Sequence, residues 1–115
     1  MSLDDCARLR ALGTAAANAS AAIVEQRIAG YNATQPMAGA STAPVHDALA
    51  VCAVIEPAVL TTRLIRVDVE TTSPLAAGRT ICDVRPTPDG VPNVEFAFDA
   101  DGARFVEMLV EILGR

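Results

Sequence analysis

Residues 46–72, HDALAVCAVIEPAVLTTRLIRVDVETT, change their period half-way along. From Leu49 to Ile55 the run is apolar on nearly every face and Pro57 closes it, which predicts a short helix opened by His46 and Asp47. Beyond Thr61 the pattern alternates: Leu64, Arg66, Asp68 and Glu70 fall to one side, and Ile65, Val67 and Val69 to the other. That two-residue period is the signature of a strand. A helix that passes within a few residues into a strand sets the class as mixed helix and sheet.

Toward the N-terminus, SLDDCARLRALG begins with Ser2 as an N-cap, followed by Asp4 and Asp5 where carboxylates suit the positive end of a helix. Leu3, Cys6, Leu9 and Leu12 make its apolar stripe, and Gly13 is its stop. Thr14 then caps a second helix through AAANASAAIVEQRIAG, whose alanine-rich half has high helix propensity. From Tyr31 to Pro44, YNATQPMAGASTAP loses periodicity and predicts a long loop that leads straight to His46 and forms one wall of a pocket. Toward the C-terminus, GRTICDVR and PNVEFAFD read as two further strands separated by turn-like SPLAAG and PTPDG. Asp99 or Asp101 caps a last amphipathic helix bearing Phe105, Leu109 and Ile112 beside Val106, Val110 and Leu113. The expected order is three helices, three strands and one helix, without repeats.

A chain of 115 residues supports one core, so one compact unit over 1–115 is expected. Apolar residues are 51% of the chain but aromatics only 3%, so that core is built from Ala, Val, Leu and Ile and is thin. A helix apolar on all sides needs cover on all sides, which in so short a chain implies a partner subunit or further sequence. Nine arginines, no lysine and a net charge of -5 leave no basic stripe for a phosphate backbone, so nucleic acid is not an expected partner. Cys6, Cys52 and Cys82 are odd in number and widely spaced, which fits reduced thiols and a cytoplasmic location. No apolar run reaches membrane-span length and no secretory leader pattern appears, so no membrane association is expected.

His46 is the sole histidine and Asp47 follows it. An imidazole titrating near neutrality can protonate a leaving group, and a neighbouring carboxylate can bind a hard cation. The same pair also reads as an ordinary polar helix start, with Asp47 facing the free amides of the first turn. Spacing alone favours the ordinary start. The other carboxylates offer less: Asp68 and Glu70 share a face with Arg66, Asp83 faces a turn, and Asp99 and Asp101 are capping residues. Calcium takes about six to eight oxygens, more than Asp47 alone supplies.

Word order decides more than any single pair. APVHDALAVCAVIEPAVLTTRLIRVDVETTSPLAAGRTICDVR, then PNVEFAFDADGARFVEMLVEIL, resembles the C-terminal part of the inosine-uridine preferring nucleoside hydrolases, with their HDPLA or VHDA helix start, VDVET and GRTVVD strands and PNV ending. The opening LDDCARLRALG resembles the family's LTPEDLARLRALG segment. This resemblance turns the reading of His46 and Asp47 toward function. It implies hydrolysis of the N-glycosidic bond of ribonucleosides to base and ribose, through an oxocarbenium-like transition state. It further implies a calcium ion holding the ribose diol and the attacking water, with an N-terminal aspartate as base. On this sequence the leaving-group acid maps to His46, a calcium ligand to Asp47, and a base-lining tyrosine to Tyr31. The purine-specific branch carries tryptophan where His46 stands, so His46 argues against that branch.

The family's DxDxGxDD motif, which supplies the other calcium carboxylates and the base, has no counterpart here, nor do the central asparagine and glutamate that bind the ribose. The chain therefore resembles about the last third of a member. The implied parent fold is α/β, an open, mostly parallel sheet with helices on both faces, of which this part looks α+β in isolation. Alone, the chain is expected to bind no calcium and to be inactive, acting on a ribonucleoside only in a complete enzyme. It is expected to form a homo-oligomer or to join a missing N-terminal part. The rival expectation is a noncatalytic remnant or self-associating interaction module.

Overall fold

The structure is a computed structural model that describes residues 1–35 and 41–115. Its element order is α1 (Leu3–Ala11), α2 (Ala15–Thr34), α3 (His46–Ile55), a 3-10 turn (Pro57–Val59), β1 (Leu60–Val69), β2 (Thr80–Asp83), β3 (Val94–Ala100) and α4 (Gly102–Leu113). This is the expected succession of three helices, three strands and one helix. The sheet is antiparallel throughout, in the order β2-β1-β3, so the arrangement is α+β. Contacts divide the chain into two compact units, Met1–Val59 with Asp101–Arg115, and Leu60–Ala100.

In the helical unit each start is built from its own sequence. Ser2 Oγ accepts from Asp5 N at 3.2 Å while Asp5 Oδ2 accepts from Ser2 N at 2.8 Å, a reciprocal box made with aspartate. Thr14 Oγ1 accepts from Ala17 N and donates to Leu113 O at 2.6 Å, so one hydroxyl caps α2 and engages the last turn of α4. Asp101, rather than Asp99, caps α4, accepting from Arg104 N at 2.9 Å. Gly13 reverses the chain between α1 and α2 with φ +72, a conformation that costs glycine no side-chain clash. The core beneath is thin, as composition predicts: Cys6, Leu9, Ala17, Ala21, Val24, Ile28 and Ala43. Full burial of Leu9 contributes roughly 1.5–3 kcal/mol, which makes it one of the few large apolar contributions here.

One expectation is corrected. α2 does not end at Gly30 but runs through Thr34: the backbone ladder continues, with Gln35 N donating to Tyr31 O at 2.8 Å, and the Thr34 side chain adds a bond from Oγ1 to Gly30 O at 2.8 Å. Tyr31 therefore stands on a helix, not in a loop. Of the remaining expected loop, residues 36–40 lie outside the described residues. α3, for which cover from a partner subunit or further sequence is expected, is not covered by this chain. Only Cys52 is buried, while Val51, Val54 and Ile55 are 61%, 84% and 61% exposed.

In the sheet unit, β1 pairs with both neighbours and the ladder with β3 shifts register between Thr61 and Thr62. Pairing Arg63 with Phe96 and Ile65 with Val94 gathers an apolar face, on which Arg63 lies 3.9 Å from the centroid of the Phe98 ring. Glu70 does not continue the strand face with Arg66 and Asp68. It lies just past β1, where its Oε1 accepts from Thr72 N, Thr72 Oγ1 and Ser73 N and closes a turn.

Candidate functional site

α3 begins at His46 without help from a side-chain cap. Val45 is its N-cap residue and makes no capping hydrogen bond, although Asp47 sits in the first turn. Neither His46 nor Asp47 forms a side-chain hydrogen bond or ion pair among the described residues, and both are exposed. The ordinary helix-start reading requires Asp47 to take up a first-turn amide, and no such bond is made. A carboxylate and an imidazole are thus left side by side without a structural partner.

The approach to His46 is held from two directions. Ala43 N donates to Met1 O at 2.9 Å, and Ser2 and Thr42 form an antiparallel bridge. One residue further on, Pro44 O accepts from Arg27 Nε at 3.1 Å. Ser41, at φ 74, takes the left-handed conformation that a non-glycine residue rarely adopts, which marks a forced bend at the start of this segment.

Between this segment and α2 lies an open cleft of about 260 Å³, lined by Ile23, Val24, Arg27, Val45, His46 and Asp47. A second, of about 380 Å³, follows α2 past Arg27, Gly30, Tyr31 and Thr34. His46 and Asp47 therefore share one cleft, Tyr31 lines the next, and Arg27 borders both. Arg27 is the residue that sequence reading missed. Arg27 and Tyr31 are four apart, hence neighbours on one helix face. That signal was hidden while the helix was ended at Gly30. Arg27 Nη2 donates to Tyr31 Oη at 3.4 Å, and its Cζ stands 5.2 Å from the Tyr31 ring centroid.

The sheet unit has grooves too, one of about 370 Å³ beside Arg63, Asp83 and Arg85. The charges of Asp83 and Arg85 are already spent on each other. Asp83 accepts from Arg85 Nε at 2.8 Å and Asp89 N at 3.0 Å, and the Arg85 guanidinium holds its carboxyl well below the usual carboxylate range. A carboxylate so engaged neither gives nor takes a proton near neutrality.

Calcium does not fit these residues by themselves. Among the described residues no group of three or more His, Cys, Asp or Glu is placed to hold a metal ion. Asp47 is one carboxylate in its cleft, against the about six to eight oxygens calcium takes.

The sequence model of the family described as inosine-uridine preferring nucleoside hydrolase matches residues 1–107. An "Inosine-uridine preferring nucleoside hydrolase" of Crithidia fasciculata is 36% identical over 86 residues, 74% of this chain and 26% of that protein. A "Probable ribonucleoside hydrolase" of Dictyostelium discoideum is 34% identical over 70 residues, 61% of this chain and 21% of that protein. Among solved structures, a "Purine-Preferring Ribonucleoside Hydrolase" from Gardnerella vaginalis superposes with a TM-score of 0.76 at 28% identity. That superposition covers 99% of this chain and 35% of the other. The chain thus spans about a fifth to a quarter of the curated relatives it matches. With the match reaching from residue 1 through the helix start at His46 to α4, the chain belongs to the inosine-uridine preferring nucleoside hydrolase family.

Proposed function

We propose that this chain supplies the leaving-group side of a nucleoside N-ribohydrolase site, and that the site is completed by the part of the family fold the chain does not span. His46 serves as the acid that protonates the departing base, Asp47 as one calcium ligand of the completed site, and Tyr31 as a wall of the base pocket. In this reading the C1′–N bond breaks with its electron pair leaving on the base nitrogen, which takes the His46 proton. The water oxygen bonds to C1′, and the water proton goes to a base outside this chain.

The observation that supports this most is the freedom of His46 and Asp47: both are exposed on one cleft and neither is committed to a hydrogen bond or ion pair among the described residues. Family membership supplies the chemistry they would serve. Supplied alone, the chain lacks the activated water and the remaining ligands, so we expect neither calcium affinity nor hydrolysis. Both units then form part of one hydrolase domain. The ligand is a ribonucleoside and not a nucleic acid, and the three unpaired thiols suit the cytoplasm. No helix among the described residues is long and apolar enough to cross a membrane.

The test is calorimetry of the purified chain with calcium, then with inosine and uridine. Silence in both, with hydrolysis appearing when the first two thirds of a relative is supplied as a second polypeptide, is the expected result. In that reconstituted enzyme His46→Ala should lower turnover by roughly 10²–10⁴-fold. Robust hydrolysis by the chain alone sinks the reading.

A second reading, a self-associating noncatalytic module, is favoured by the bare Val51, Val54 and Ile55 on α3. It predicts concentration-dependent mass in sedimentation velocity, and an unchanging monomer that binds no hydrophobic dye rejects it.

A further inference from the structure

We propose that the notch in the sheet beside Arg63, Leu64 and Ile65 takes an extended, carboxylate-bearing segment of a protein partner, which pairs with the open edge of β1 and presents its carboxylate to Arg63. All of the notch residues belong to the sheet unit, and none of the nucleoside chemistry above is needed. β1 runs from Leu60 to Val69, but β2 pairs with it only from Arg66 to Val69. On that side Arg63, Leu64 and Ile65 therefore have no neighbouring strand among the described residues. The peptide groups of a strand alternate sides. Asn93 N donates to Ile65 O at 3.0 Å on the β3 side, so the N–H and C=O of Leu64 turn the other way, toward the gap that β2 leaves. An open edge of this kind is a template for a further strand.

The segment across the notch lines it without completing the sheet, and about 370 Å³ stays open between them. Pro86, Pro88 and Pro92 carry no N–H to give to a ladder. The amides of Arg85 and Asp89 are turned instead onto the Asp83 carboxylate, at 3.2 and 3.0 Å. No backbone bond from this segment reaches Leu64 among the described residues. Charge then selects the occupant. The Arg63 guanidinium is held 3.9 Å from the centroid of the Phe98 ring, and it forms no ion pair or side-chain hydrogen bond among the described residues. Stacking on a ring occupies the face of a guanidinium and leaves its five N–H donors to an acceptor. Asp83 and Arg85 neutralise each other, so the notch carries one cation in excess, which matches one carboxylate. In strand addition the main chain supplies affinity and such a side-chain contact supplies specificity.

The test is amide NMR of the intact chain, titrated with a short end-blocked peptide of valines and threonines that carries one central glutamate. The Leu64 amide signal should shift, and the glutamate peptide should bind about tenfold more tightly than its glutamine twin. Arg63→Met should bring the two peptides level, and Arg63→Gln serves if the Met variant melts early. The twin peptide tests the charge without any change to the chain. A peptide N-methylated on alternate residues, which lacks the donor for the Leu64 carbonyl, should leave the Leu64 signal where it is. Equal binding of the glutamate and glutamine peptides, or a Leu64 signal that no peptide moves, overturns the proposal. Acetate that moves Leu64 as far as the peptide does assigns the notch to free carboxylates and overturns the added strand. A Leu64 signal that moves with the concentration of the chain itself, and not with peptide, assigns the edge to a second copy and overturns the partner.

Discussion

At the scale of single residues, local polar chemistry is where this chain is most determined. Ser2, Thr14 and Asp101 each satisfy a helix-terminal amide through a side chain, and sequence alone picks out the first two while leaving Asp99 and Asp101 as alternatives for the third. Ser2→Ala should therefore lower the unfolding free energy by about 1 kcal/mol, as read from the midpoint of urea denaturation. Glu70 makes a different point. Strand alternation put it beside Asp68, but three hydrogen bonds from Thr72 and Ser73 fold it into a turn. Those bonds, the Thr72 hydroxyl first, lower its pKa to about 2 from the ordinary 4.5. A carboxyl depressed by folding stabilises above its unfolded pKa, and that contribution is lost as pH falls through the folded value. The Thr72 amide signal should hold its position from neutrality down to about pH 3 and move only near pH 2, whereas Glu70→Gln should remove the transition. A transition centred near pH 4.5 would show that the turn is not formed. The aspartates at helix starts were legible because a cap is a one-turn affair; Glu70 was not, because its partners follow the strand and alternation carries no information about a turn.

At the scale of elements, α3 separates composition from environment. Its sequence is apolar all round, yet Cys52 is 2% exposed and Val54 84%. Val54→Asp should leave the unfolding free energy within about 0.5 kcal/mol of the wild type, as for other open surface positions. Cys52→Asp, which buries an unpaired charge, should cost several-fold more. Thiol chemistry checks the same geometry. Burial pushes the Cys6 and Cys52 thiols up, with the charges of Glu25 and Asp5 adding at Cys6 and of Glu56 at Cys52. A disulfide reagent at pH 8 should label Cys82, which is only half-buried, rapidly and the other two at the rate of unfolding. Rapid labelling of all three would contradict the packing of both helices. α2 carries the converse lesson. Gly30 reads as a stop, but the ladder runs through it to Thr34 because glycine in a helix costs only about 1 kcal/mol and the surrounding bonds exceed it. That extension puts Tyr31 on the same face as Arg27.

At the scale of the whole molecule, the two compact units differ in what holds them. The helical unit has Cys6, Leu9, Val24 and Ile28 in one cluster, whereas the described sheet rests on Ile65 as its buried hydrophobic residue and ends in the four-residue β2. Native-state hydrogen exchange should find the slowest amides in α1 and α2 and the fastest strand amides in β2. Uniform protection across both units would mean a single cooperative core. Spanning only 35% of a superposable relative while keeping a TM-score of 0.76, the chain holds this local fold with α3 bare.

The sequence by itself determined the element order, the caps of the first two helices, the thin alanine-rich core and the family, because each is written in neighbouring residues, in periodicity or in an ordered series of words along the chain. Only the tertiary structure decided that α2 reaches Tyr31, that the sheet is antiparallel with β1 in the middle, and that Arg27 stands between the Tyr31 cleft and that of His46 and Asp47. These depend on groups far apart in the chain, such as Arg27 and the Pro44 carbonyl. No local pattern encodes a contact whose partner is chosen only when the chain has folded back on itself.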